Sequence, residues 1–206
     1  SEMCIRDRGP TMTLLGAVHG NELVGPLALT YLSGPNFIGS GKPIDPDVLS
    51  GTIRIVPIVN MPGYKMKSRY MPDGRDLNRS FPGKPDSNTS YRVANRFWKE
   101  IIAGSDYVID LHTAAVGRTN MPQIRANLAH ASSNKIARSF GIEAILDNVG
   151  PKGSLRRVTN DADIACVTFE GGGPDELDPE SVQVSLYGIL NVLRSLRMIP
   201  GHPSLS

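Results

Sequence analysis

Cysteine is scarce in these 206 residues: Cys4 and Cys166 are the only two. Two thiols cannot build a disulfide scaffold, which excludes the stapled secreted class and sets a reducing, cytoplasmic compartment as the expectation. Neither sign of charge is in excess, with 22 Lys and Arg against 20 Asp and Glu and a net charge of +2. That leaves no basic footprint for nucleic acid or for an anionic membrane. No run of about 18 apolar residues occurs, so no segment is expected to cross a bilayer.

Glycine and proline are abundant instead, at 21 and 16 residues. Their share exceeds the usual combined value of about 12% and predicts shaped loops, where function tends to sit. A hydrophobic content of 40% and a charged content of 20% are those of a globular chain. The length suits one large domain with a real core.

The two ends carry no fold signal. Met3-Cys4-Ile5-Arg6-Asp7-Arg8 looks like one translated frame of an adapter used in DNA library preparation. Residues 1–8 are therefore read as a sequencing scar, with a genuine flexible N-terminus as the alternative. Residues 202–206 are read as a tail or a truncated linker, which leaves 9–201 as the expected domain.

Between the ends, strand and helix patterns alternate. Apolar or β-branched runs predict strands over 11–18, 52–59, 106–112, 142–149 and 164–170. Helical spacing predicts helices over 23–32, 89–103 and 130–140, the last stopped by Gly141. Asp178-Pro179-Glu180 is a helix start, with an Asp cap, Pro at the first position and an acid in the first turn. Val182, Leu186, Ile189, Leu190, Leu193 and Leu196 then form its core face. Residues 60–88 hold four prolines and no regular pattern; a loop that long in a compact domain is usually functional or disordered. The alternation argues for an α/β fold, a mixed, mostly parallel sheet with helices on both faces.

Three strand ends carry chemistry. His19 and Glu22 follow the first apolar strand, and Glu22 is the sole charged side chain between Gly9 and Gly41. A lone carboxylate there is costly to bury without a partner or a metal. Asp110 and His112 lie on one face of another strand end, so the acid can fix the tautomer of the imidazole. Glu170 ends a third apolar strand, before three glycines that allow close backbone approach. Two strand-end histidines with a strand-end glutamate make a His₂Glu set with an open fourth position, the pattern of a catalytic zinc site. A carboxylate beside such a site can take a proton from water and pass it to a leaving amine. The long loop adds Arg69, Arg75 and Arg79, whose guanidinium forks suit carboxylate binding and oxyanion stabilisation. Each feature alone also has a bland explanation: an exposed turn, a satisfied half-buried His, a loose strand end, a solvated basic loop.

Together, Gly16-Ala-Val-His19-Gly-Asn-Glu22, Asp76-Leu-Asn78-Arg79-Ser-Phe81-Pro-Gly83, Asp110-Leu-His112 and Phe169-Glu170-Gly-Gly-Gly resemble the succinylglutamate desuccinylase/aspartoacylase family. These are relatives of the zinc carboxypeptidases, and the predicted deacylase branch is the most similar. The resemblance covers residue 9 to about residue 201. It implies a zinc-carboxypeptidase-like fold and one zinc ion (Zn2+) per chain on His19, Glu22 and His112. It implies Glu170 as general base and then acid, and Arg69 as the group that polarises the scissile carbonyl. It implies Asn78 and Arg79 as the holders of a substrate carboxylate, with Arg156 a further substrate arginine in a register that Arg157 leaves open. Family members also carry residues before the first strand and a smaller β-rich C-terminal domain that have no counterpart here.

The function implied is hydrolysis of the amide bond of an N-acyl amino acid or a similar small, carboxylate-bearing amide. A zinc carboxypeptidase, or a fragment that binds metal without turnover, are the alternatives, and homo-oligomerisation is left open. A His₂Glu set also takes other first-row metals. The remaining ionisable groups are read as structural: His130 and His202 at the surface, Cys166 in the core, and Arg125, Arg138, Arg194 and Arg197 on solvated faces.

Overall fold

The computed structural model describes residues 9–34 and 44–204; the adapter-like segment 1–8 lies outside them. The elements are β1 (Thr11–Gly16), α1 (Val24–Ser33), β2 (Thr52–Val56), α2 (Met61–Lys65), a 3₁₀ turn (Leu77–Arg79), α3 (Thr89–Phe97), a π turn (Trp98–Ile102), β3 (Tyr107–His112), β4 (Asn120–Ala126), α4 (Ala131–Ser139), β5 (Ile145–Asp147), α5 (Leu155–Asp161), β6 (Ala165–Gly172) and α6 (Pro179–Ser195).

The six strands form one mixed sheet in the order β2-β1-β3-β6-β4-β5. β2, β1, β3 and β6 are parallel, whereas β4 runs antiparallel to β6 and parallel to β5. The central strands are buried on both faces, β6 along its whole length, which is why they read as continuous apolar runs rather than alternating ones. One core layer packs Leu14, Leu29, Ile109, Leu111, Ile136, Phe169, Ile189 and Leu193 between the sheet and α1, α4 and α6. Phe140 stacks on Phe169 at 5.6 Å in this layer, beside Gly188, where a Cβ would lie 1.9 Å from the Phe140 ring. A second layer on the opposite face packs Leu15, Leu77, Phe81, Ala94, Val108, Leu155 and Cys166 beneath α3 and α5. The expected α/β architecture, with helices on both faces, is thus the one observed.

Several local expectations differ in detail. β1 stops at Gly16 because Ala17 turns into the left-handed region at φ +46°. β2 stops before Pro57, which cannot donate to a ladder. The helix expected over 89–103 is α3 followed by the π turn. Residues 60–88 hold α2, whose Asn60 cap accepts from Gly63 N, and the 3₁₀ turn, whose Asp76 cap accepts from Asn78 N. α5, absent from the sequence pattern, starts at a Ser154 cap that accepts from Arg157 N. β4 was also illegible, because Asn-Met-Pro-Gln-Ile-Arg-Ala is polar and interrupted by Pro122. His130 is half-buried, caps α4 by accepting from Ser133 N, and pairs with Asp163, so it is not the surface group expected. Among the described residues no helix is long and apolar enough to cross a membrane.

Candidate active site

Parallel strands bring their C-terminal ends to one edge of the sheet, and α/β folds place ligands outside that edge. The strand register brings Gly16 beside Leu111, and His112 beside Glu170. The turn after β1 is clamped: Val59 N donates to Gly16 O at 3.0 Å and Asn60 N to Ala17 O at 2.9 Å. A Cβ on Gly20 would lie 2.0 Å from Gly63 C and 2.2 Å from Tyr64 N, so glycine alone lets α2 press against this turn.

His19, Glu22 and His112 are 3%, 1% and 2% exposed and offer ligand atoms within 4.8 Å of one another. The Nδ1 atoms of His19 and His112 face each other at 3.2 Å and face the Glu22 carboxylate at 2.7 and 2.8 Å. Their opposite nitrogens go to carboxylates: His19 Nε2 to Asp76 Oδ1 at 3.1 Å, and His112 Nε2 to Asp110 Oδ2 at 2.8 Å. This fixes both rings and turns Nδ1 of each toward a shared point. Thr113 N donates to Glu22 Oε2 at 3.2 Å and Arg69 donates to Glu22 Oε1 at 3.2 Å.

The electrostatics match. Burial works to raise the Glu22 pKa, but His112 and His19 outweigh it and hold it down at about 2. Burial also opposes charge on His112, yet Asp110 and Glu22 hold its pKa well above the usual imidazole range. Surroundings that favour a proton there also favour a divalent cation. Two imidazoles and one carboxylate are donors that zinc takes, and three protein ligands leave a position for water or substrate. The residues therefore fit the metal.

One cavity of about 200 Å³ is lined by His19, Glu22, Arg69, Asn78, Arg79, His112, Arg156 and Glu170. It brings together the residues to which the resemblance gave a metal, catalytic or substrate role, whereas Asp110 lies behind His112 and Arg75 is exposed outside it. Asn78 Oδ1 accepts from Leu155 N at 2.8 Å, tying the 3₁₀ turn to α5. Arg156 is buried and bonds Thr168 Oγ1 at 3.2 Å and both oxygens of Asn148. Arg157 turns outward to Asp161 at 3.0 Å, so Arg156 is the one of the two that lines this cavity. The Glu170 pKa is raised by burial, against the pull of His112 and Arg125.

Two residues of the cavity wall that contact Glu170 were missed. Arg125 is half-buried and pairs with Glu170 Oε1 at 3.0 Å, so it is not on a solvated face. Asn120 Nδ2 donates to Glu170 Oε2 at 2.9 Å. Both lie on β4. Asp76 also does more than its place in a motif implies, since it binds His19, Arg69 and the Asn78 backbone.

A mixed sheet with helices on both faces and a His-Glu-His cluster beyond its strand ends is the arrangement expected of the zinc-carboxypeptidase-like fold. The chain belongs to the succinylglutamate desuccinylase/aspartoacylase family, whose catalytic domain matches residues 8–196. It is 29% identical to an N-alpha-acetyl-L-2,4-diaminobutyric acid deacetylase of Halomonas elongata, over 95% of this chain and 57% of the relative. It superimposes on the product-bound ectoine utilization protein EutE (DoeB) of Ruegeria pomeroyi with a TM-score of 0.85 at 27% identity, covering 97% of this chain and 61% of that one. A succinylglutamate desuccinylase/aspartoacylase of Rhodobacter sphaeroides gives a TM-score of 0.83 at 30% identity, covering 97% and 59%. The chain thus spans less than two thirds of each relative's length.

Proposed function

We propose that this chain is the catalytic domain of a zinc-dependent deacylase that hydrolyses the amide bond of an N-acyl amino acid. The observation that carries the proposal is the convergence of His19, Glu22 and His112 within 4.8 Å in the cavity that Glu170 also lines. The deacetylase named among the relatives supports a small acyl amino acid as substrate. The scarcity of cysteine supports a reducing, cytoplasmic setting.

Held by His19, Glu22 and His112, a zinc ion supplies Lewis acidity that makes water a nucleophile near neutral pH. Glu170 takes the proton of the attacking water and delivers it to the departing amine nitrogen. Arg69, already aimed at the Glu22 side of the cavity, donates to the carbonyl oxygen as that atom gains charge. Arg79 and Asn78 grip the substrate carboxylate in an extended fork, and Arg156 adds positive charge from the cavity wall. Asp76 and Asp110 hold the two imidazoles in the tautomer that presents Nδ1.

The test is metal content together with turnover on a panel of N-acetyl amino acids and short peptides, with His112→Ala as control. About one zinc per chain, lost in a control that stays folded, and release of acetate from the acyl amino acids are expected. No metal in a folded wild-type chain overturns the ligand assignment; faster cleavage of peptides than of acyl amino acids overturns the substrate class.

A further inference from the structure

β4 enters the sheet antiparallel to β6, and its pairing is irregular. Arg125 lies opposite Thr168 and Gln123 opposite Glu170, but Asn120 lies opposite Gly172. Three steps along β4 therefore match two along β6, and the extra residue is a bulge around Pro122. On a regular strand, Asn120 and Arg125 would point to opposite faces of the sheet because they are an odd number of residues apart. The bulge reverses that parity. Both come to the face shared by Thr168, Glu170 and Gly172, one on each side of Glu170.

The contacts follow. Arg125 takes Glu170 Oε1 at 3.0 Å and Asn120 takes Oε2 at 2.9 Å. One carboxylate oxygen is ion-paired with a guanidinium and the other accepts from an amide, and the two partners approach from either side along a single strand. Arg125 stays there although its Nε is buried without a hydrogen-bond partner. An unmet buried donor is uncommon in a native structure and marks a place where something other than stability decides the residue.

We infer that Asn120 and Arg125 are positioning residues for Glu170, and that the β4 bulge exists to bring both to its carboxylate. Held at both oxygens, Glu170 cannot swing freely about its last torsions, and its carboxylate is kept facing the cavity that His19, Glu22 and His112 share. The inference rests on the role proposed for Glu170 as general base. It assigns to β4, the strand with the least legible sequence, the orientation of the proton-transferring group.

The experiment is a mutant cycle on the full chain loaded with zinc, using Arg125→Met, Arg125→Lys, Asn120→Ala and Glu170→Gln. Arg125→Met and Asn120→Ala are each expected to lower kcat at least tenfold, with KM within a factor of about three and zinc content unchanged. Arg125→Lys is expected to recover part of the loss. Neither Arg125→Met nor Asn120→Ala should slow the residual rate further once Glu170→Gln is present, because both act through Glu170. A raised KM at unchanged kcat overturns the inference in favour of direct substrate binding. Losses that multiply in the Glu170→Gln background overturn it as well. Glu170→Gln with wild-type turnover overturns the proposed base itself, which is a separate outcome. Independently of turnover, a crystal structure of Asn120→Ala is expected to show the Glu170 carboxylate rotated or in two rotamers; an unchanged single rotamer counts against the inference.

Discussion

Asp76 Oδ1 lies 3.1 Å from Nε2 of His19, across 57 residues of chain, and so joins the proposed metal ligand to the loop that carries Arg69, Asn78 and Arg79. The other Asp76 oxygen takes Arg69 at 3.3 Å. Its Oδ1 also caps the turn that carries Asn78 and Arg79. Burial opposes its ionisation, yet His19, then Arg69 and Arg79, hold its pKa far below the usual carboxylate range. One carboxylate thus sets the ring of His19, the reach of Arg69 and the start of the turn that carries Asn78 and Arg79.

Asp76→Ala frees the His19 ring to rotate and weakens it as a donor. Loss of such a partner typically costs about 10–100-fold in metal affinity, and that range is expected in chelator competition with zinc. An affinity equal to wild type would show that His19 needs no orienting partner.

Glu170→Gln keeps the shape of the side chain and removes its basicity. Zinc content should stay at one per chain while kcat falls by about 10²–10⁴, the usual worth of a positioned acid–base group. Measured turnover near wild type contradicts the assignment.

With Glu170 as the proposed base, its raised pKa is expected to set the acid side of the pH profile. A base must be ionised to work, so activity falls as pH drops through the Glu170 pKa. Because burial lifts that value above 4.5, the acid limb of kcat/KM is expected above pH 4.5. A limb at or below that pH would show that another group, or an unburied Glu170, governs it.

Gly20→Ala places a methyl group 2.0 Å from the Gly63 backbone, where no flexible side chain can yield. Overpacking of this kind costs about 1–3 kcal/mol, and denaturant unfolding should show it together with weaker zinc binding. A fully stable variant would mean that α2 moves away at little cost.

Cys166 is buried in β6 and its thiol is pushed up to about 12 by burial. In a Cys4→Ser background the folded chain should resist iodoacetamide at pH 8, because the thiolate is the reactive form. Prompt alkylation without unfolding would place Cys166 at an accessible surface.

The legible parts of the site share one property: their signal is local. His19, Glu22, His112 and Glu170 each stand at the end of an apolar run, and a strand end is visible in a few residues of sequence. Asn120 and Arg125 stand in a polar run broken by Pro122, with no alternation to reveal a strand. β4 forms because the free edge of β6 supplies its ladder partners, and that edge is invisible along the chain. α5 was missed for its shortness, although Ser154 was there as a cap signal. The choice between Arg156 and Arg157 is likewise undecidable locally, since neighbouring helical residues differ only in what the helix packs against.

The order of apolar strands and amphipathic helices, the cap at Asp178, and the four motifs were all determined by the sequence, because periodicity and capping act over a handful of residues. The tertiary structure alone decided that His19 and His112 turn Nδ1 toward Glu22 and Nε2 toward Asp76 and Asp110. It alone decided that a bulge brings Asn120 and Arg125 to one face. Those outcomes depend on the register between strands and loops dozens of residues apart, and a one-residue shift in register moves a side chain to the other face of the sheet.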